Sequence, residues 1–135
     1  MVVSAGSLRV DDEHAIHFPH RWTDEGVTVQ ADFTGAHLLH LSAAGCVLND
    51  LYREASGLRI NLSGVRVTAG GRFDTQTWQS TGITYQVELD SVADPVDLAA
   101  LLARVDAVAE IPRAIRAGAA VSRLPSDGAA PPPAR

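Results

Sequence analysis

Lysine is missing altogether: the eleven cationic side chains are all arginine, set against sixteen carboxylates for a net charge of -5. That balance argues against the basic footprint a nucleic-acid partner requires and accounts for solubility rather than partner choice. Cysteine occurs once, at Cys46, which excludes an internal disulfide framework and suits a reducing, cytoplasmic compartment. Long apolar runs are also missing. The longest is interrupted by His37 and His40, and the opening MVVSAGSLRV has no basic start and no cleavage site, so neither a membrane span nor a secretion signal is expected. Aromatics make up only 5% of the chain, and no basic stripe accompanies Trp22, Phe33, Phe73, Trp78 and Tyr85. They are expected as core or pocket walls, not as a stacking platform for bases. What is present, 46% hydrophobic and 20% charged over 135 residues, suits one globular domain with one core. Residues 1–123 are assigned to that domain. Residues 124–135, with three consecutive prolines, read as a disordered tail.

The stretch from Gly35 to Ser56 organises the rest. Leu38, Leu41, Leu48, Leu51, Tyr52 and Ala55 recur at three- and four-residue steps, the period of an amphipathic helix, with Thr34 placed to cap its start and Gly57 its end. Leu39 and Val47 lie outside the main stripe, so the first half should be buried on several sides. The small run Ser42-Ala43-Ala44-Gly45 invites close approach of another backbone, since an interior glycine otherwise costs about 1 kcal/mol relative to alanine.

Around it, alternation predicts strands. Ile16, Phe18, His20 and Trp22 share one side of a strand that Pro19 marks as an edge or a bent one, and Thr23 to Gly26 reads as a turn. Val27, Val29, Ala31 and Phe33 form a second strand leading into the helix. Beyond Gly57 the phase changes between Leu58, Ile60, Leu62 and Val65, Val67, which suggests a bulge at Ser63-Gly64, and Gly70-Gly71 reads as a break. From Thr81 to Asp90, Ile83, Tyr85, Val87 and Leu89 point inward, as in an antiparallel sheet with one wet face lying against the long helix. Asp94 and Pro95 start a second helix with the stripe Leu98, Leu101, Leu102, Val105 and Val108. Pro112 ends or kinks it, and a last helical turn from Ile111 to Ala117 stops at Gly118, with Arg113 and Arg116 favoured at its C-terminal end.

The segments HLLHLSAAGCVLNDLYREASGLRI, GVRV and DPVDLAALLARVDAVAEIPRAIRAG, in that order, resemble the OsmC/Ohr family of hydroperoxide-reducing proteins. The resemblance implies an α+β fold in which antiparallel sheets wrap a long central helix within an intertwined homodimer. It also implies a reactive cysteine on that helix, for which Cys46 is the match. The family's second, resolving cysteine falls at Ala109 here, and the acid it carries ahead of the central helix falls at Ala36. Both are therefore absent, and no N-terminal motif marks its activating arginine, leaving Arg9 and Arg21 as candidates.

What remains is a possible one-cysteine cycle at Cys46, reducing an organic hydroperoxide with an external thiol and no bound cofactor. The different-class alternative is a non-catalytic dimer that holds a small apolar ligand at its interface, with Cys46 serving as packing. A free thiol in apolar surroundings stays protonated unless a cation is supplied, and three turns into a helix it gains nothing from the N-terminal dipole. Its helix-face neighbours are Leu39, Ser42, Ala43, Asn49, Asp50 and Arg53, so Arg53, or an arginine of the other chain, is a further activating candidate, while Asp50 and Glu54 can pair with Arg53 in a polar half expected as a solvated face or as interface salt bridges. His14, His17 and His20 would not converge on a strand. His37 and His40 can share a helix face and could line the pocket, but a metal site needs a third ligand that spacing does not name, and none is assigned.

Overall fold

The computed structural model describes residues 1–123, and the tail expected at 124–135 lies outside them. Eight elements follow in order: β1 (Val2–Gly6), β2 (Ile16–His20), β3 (Thr23–Gln30), α1 (Gly35–Leu58), β4 (Gly64–Phe73), β5 (Ser80–Asp90), α2 (Pro95–Val108) and α3 (Glu110–Ala117). The strands make one antiparallel sheet in the order β2-β3-β1-β4-β5, an α+β arrangement. β1, which alternation alone did not announce, is the middle strand. Its Val3 and Ala5 face the core, while Ser4 packs on the other side, exchanging a 3.0 Å hydrogen bond with Thr28 and accepting the Val10 N–H. A strand of five residues with polar and apolar faces both buried gives little periodic signal.

Helix α1 lies across β1 and β4. Ala44, Val47, Leu48, Leu51 and Ala55 meet Val3, Ala5, Val27, Val29, Val65, Val67 and Ala69, with Leu101 and Val105 of α2 closing the core. Each fully buried valine or leucine among them contributes about 1.5–3 kcal/mol of transfer free energy. The inward residues of β5 alternate as expected, but Ile83, Tyr85, Val87 and Leu89 are only half-buried. The sheet surface under the helix thus belongs chiefly to β4 and β1, with Tyr85, Val87 and Leu89 of β5 packing at the margin of the core.

Several expected boundaries shift, each for a local reason. The β2–β3 turn is at Arg21-Trp22, with His20 opposite Thr23, so the segment from Thr23 to Gly26 belongs to a strand. Edge strand β2 does change register between Phe18 and His20, at Pro19. Phe33 and Trp78, expected as walls, are 87% and 73% exposed. Thr34 caps α1 by accepting the His37 N–H at 3.1 Å, but Gly57 stays helical, and Arg59 in the left-handed conformation (φ 58°) ends the helix. There the Ile60 N–H reaches the Ala55 carbonyl at 2.9 Å, which satisfies a terminal acceptor. No bulge forms at Ser63-Gly64, because residues 60–63 are irregular and β4 starts only at Gly64.

Gly70 and Gly71 do not break β4; they pair with Thr84 and Ile83. Gly71 is instead a close-approach residue, since a Cβ there would lie 2.4 Å from the Gly82 carbonyl oxygen and 2.9 Å from His40 Nε2. α2 ends at Val108, ahead of Pro112, and Asp94 makes no side-chain cap. Pro112 is the third residue of α3, where an N–H would have no intrahelical acceptor, so the ring costs nothing there. Among the described residues nothing lies within 4 Å of a Cβ at Gly45, and Leu38 is 42% exposed. The expected all-round burial of the start of α1 is therefore not met by one chain.

Candidate functional site around Cys46

Cys46 is half-buried on α1, where the helix passes the first turn of α3. One turn on, Asp50 is wholly buried, and its Oδ2 lies 4.0 Å from Cys46 Sγ. Its Oδ1 is held by Arg53 Nη1 at 3.1 Å and by the Asn49 amide at 3.4 Å. Glu110, the first residue of α3, completes the group: one donor atom each from Cys46, Asp50 and Glu110 lie within 4.8 Å of one another. Asn49 also meets His20 Nε2 at 3.3 Å, and the His20 ring packs edge-on against Tyr52.

The electrostatics keep the thiol neutral. Burial raises its pKa first of all, and the charges of Asp50 and Glu110 raise it further, against a lowering by the backbone N–H groups of Ile111 and Glu110. Asp50 is itself raised by burial, with the Arg53 guanidinium opposing. The Arg53 guanidinium is engaged by Asp50 Oδ1 at 3.1 Å and by Glu54 at 3.4 Å.

The activating candidates from the sequence lie elsewhere. Arg9, in the loop after β1, pairs with Glu25 at 3.2 Å and Asp11 at 3.6 Å. Arg21 lies over the Trp22 ring at 5.3 Å. Arg53 reaches Asp50 and Glu54, as helix spacing predicts, but Asp50 is a buried partner rather than part of a solvated face. His37 hydrogen-bonds Thr34 at the start of α1, and His40 is buried with its ring stacked on Phe73 and, among the described residues, no partner for its Nε2. His14 and His17 are exposed near acidic neighbours. Glu110 is the residue that pattern reading missed. It adjoins Ala109, the position matched to the family's second thiol, so inspection of that neighbour would have found it.

His40 carries a pH prediction. Burial, then the charges of His37 and the N-terminus, lower its pKa below the ordinary 6.5, and burial likewise lowers that of His20. Below pH 6.5 the unfolded chain binds protons that the folded chain resists, so stability is complete above that pH and declines as pH falls toward the folded value. Urea unfolding at about pH 7.5 and about pH 5.5 should show this loss, and His40→Leu should reduce it. An equal pH dependence in the variant would refute the assignment to His40.

At Ala43, one turn before Cys46, α1 joins β5 and α3 around a groove of about 390 Å³ lined also by Ile83, Tyr85, Pro112, Ile115 and Arg116. Tyr85 donates its hydroxyl to Asp106, and burial followed by that bond pushes its pKa up to about 12. It serves as a neutral hydroxyl in the wall.

An α+β sheet with a long helix crossing it, a half-buried thiol on that helix and a helical C-terminal turn over the thiol defines the class. A family model described as OsmC-like protein matches residues 28–122, and the chain belongs to the OsmC-like family. A solved OsmC-like hydroperoxide resistance protein from Jannaschia sp. CCS1 is similar at 13% identity, covering 80% of each chain with a TM-score of 0.49. No curated protein matches the chain. Among the described residues no helix is long and apolar enough to cross a membrane.

Proposed function

We propose that this OsmC-like protein acts as a homodimer, in a cytoplasmic stress-response setting, and binds a small apolar molecule in the groove between α1, β5 and α3. The observation that carries this reading is the surroundings of Cys46: its sulfur faces the carboxylates of Asp50 and Glu110, where peroxide attack by a thiolate needs a cation. Ala109, matched to the resolving thiol, is 1% exposed and part of the core. Dimerisation is supported by the half-buried inner face of β5, the open space that the described residues leave at Gly45 and the exposure of Leu38.

A second reading has one observation in its favour: the N–H groups of Ile111 and Glu110 lower the thiol pKa, as a thiolate site requires. In that reading Cys46 thiolate attacks a hydroperoxide, one oxygen leaves as an alcohol, and the sulfenic acid is returned to thiol by two equivalents of an external thiol, giving disulfide and water.

Fluorescence titration with 1-anilinonaphthalene-8-sulfonate separates the two. The binding reading expects saturable binding that Cys46→Ser leaves unchanged and that Ile115→Asn weakens about fivefold, the equivalent of about 1 kcal/mol of lost apolar burial. Absence of saturable binding, or indifference to Ile115→Asn, would contradict it.

A further inference from the structure

We propose that Cys46, Asp50 and Glu110 form a binding site for one divalent cation of the zinc type. The donors come from two helices. Cys46 and Asp50 are one turn apart on α1, Glu110 opens α3, and one atom of each lies within 4.8 Å of the others. Asp50 is the member that distinguishes this group from a chance surface cluster, because it is 0% exposed and its two oxygens are divided. Oδ1 is fixed by Arg53 at 3.1 Å and Asn49 at 3.4 Å, outer partners of the kind that orient a metal-ligating carboxylate. Oδ2 has no N–H donor among the described residues. It is aimed at Cys46 Sγ across 4.0 Å, at the outer limit even for a sulfur hydrogen bond. A buried carboxylate oxygen whose one donor is a weak S–H at that distance is poorly satisfied, and a cation between it and the sulfur would satisfy both.

The donor set selects the ion. Mg²⁺ and Ca²⁺ take oxygen ligands and Cu(I) takes soft ones, whereas Zn²⁺ accepts thiolate and carboxylate together. Glu110 is exposed, which leaves the site open to solvent on that side for a fourth ligand. On binding, the thiol proton passes to solvent and a sulfur–metal bond forms; nothing is oxidised or reduced. The site does not depend on what the groove holds, but an occupied site would keep Cys46 from attacking a peroxide.

The test uses the full chain, stripped with a chelator and titrated with Co²⁺. The expected result is a thiolate-to-cobalt charge-transfer band that saturates at one ion per chain and is displaced by Zn²⁺. Cys46→Ser should abolish the band. Glu110→Gln, at an exposed position where folding loses only a surface charge at the start of α3, should weaken binding at least about tenfold. Cobalt binding without the band, as at the N-terminal histidines, or binding indifferent to Glu110→Gln, would overturn the site, as would no binding at all.

Discussion

Replacing Arg53 by glutamine should cost about 2–3 kcal/mol of stability, read as a lower denaturant midpoint at unchanged slope. The reason lies in Asp50, which is fully buried, while Arg53 supplies the ion pair to its Oδ1 at 3.1 Å. Removing one partner of a buried pair typically costs about 3–5 kcal/mol, and the estimate is reduced because Arg53 is 38% exposed and partly screened. The loss should depend on pH with a defined sign. The folded pKa of Asp50 is raised above the ordinary 3.8, so the folded state holds a proton that the unfolded chain gives up. Its contribution is therefore fullest below that value and is lost as pH rises through the folded pKa. Without Arg53 the shift grows, so the variant's deficit should be larger near neutrality than in acid. A deficit that is small and flat with pH would mean that Arg53 serves something other than Asp50.

Gly71→Val should be comparably damaging, about 3 kcal/mol. A Cβ at this position meets the Gly82 carbonyl oxygen at 2.4 Å and His40 Nε2 at 2.9 Å. One neighbour is backbone of the paired strand and cannot yield without parting β4 from β5, and the other is a buried ring stacked on Phe73. Gly70→Val is the control, because among the described residues nothing lies within 4 Å of a Cβ there. Thermal unfolding of the two variants should separate them clearly, and equal melting temperatures would refute the close-approach account.

How much of this was legible in advance depends on the kind of signal. The helix from Gly35, the β5 alternation and the Thr34 cap follow from periods of 3.6 and 2 and from a hydroxyl at the right place, and the structure has all three. Glycines misled because sequence cannot distinguish freedom from crowding. Gly57 lies inside the helix while Arg59 takes the left-handed turn, and Gly71 is kept small by neighbours distant in sequence. The site was legible only in part. Cys46, Asp50 and Arg53 share one helix face, so their proximity follows from spacing. Glu110 reaches them from a separate helix, and Arg9 and Arg21 are drawn away by Glu25, Asp11 and the Trp22 ring. Arg9 with Glu25 and Glu110 with α1 are long-range pairings that no local pattern encodes, whereas Asp11 and Trp22 are sequence neighbours of the arginines they hold.

The central claim is that Cys46 is a neutral thiol among carboxylates and not an activated peroxidatic thiolate. The most direct measurement is the second-order rate of Cys46 sulfenic acid formation with cumene hydroperoxide at neutral pH, using chelator-treated protein and mass spectrometry of the trapped product. The account predicts a rate no faster than that of a free cysteine under the same conditions, since only about a few per cent of even an unperturbed thiol is ionised at that pH. A rate on the order of a thousandfold above free cysteine, lost on Cys46→Ser, would contradict it and establish the one-cysteine peroxidase instead.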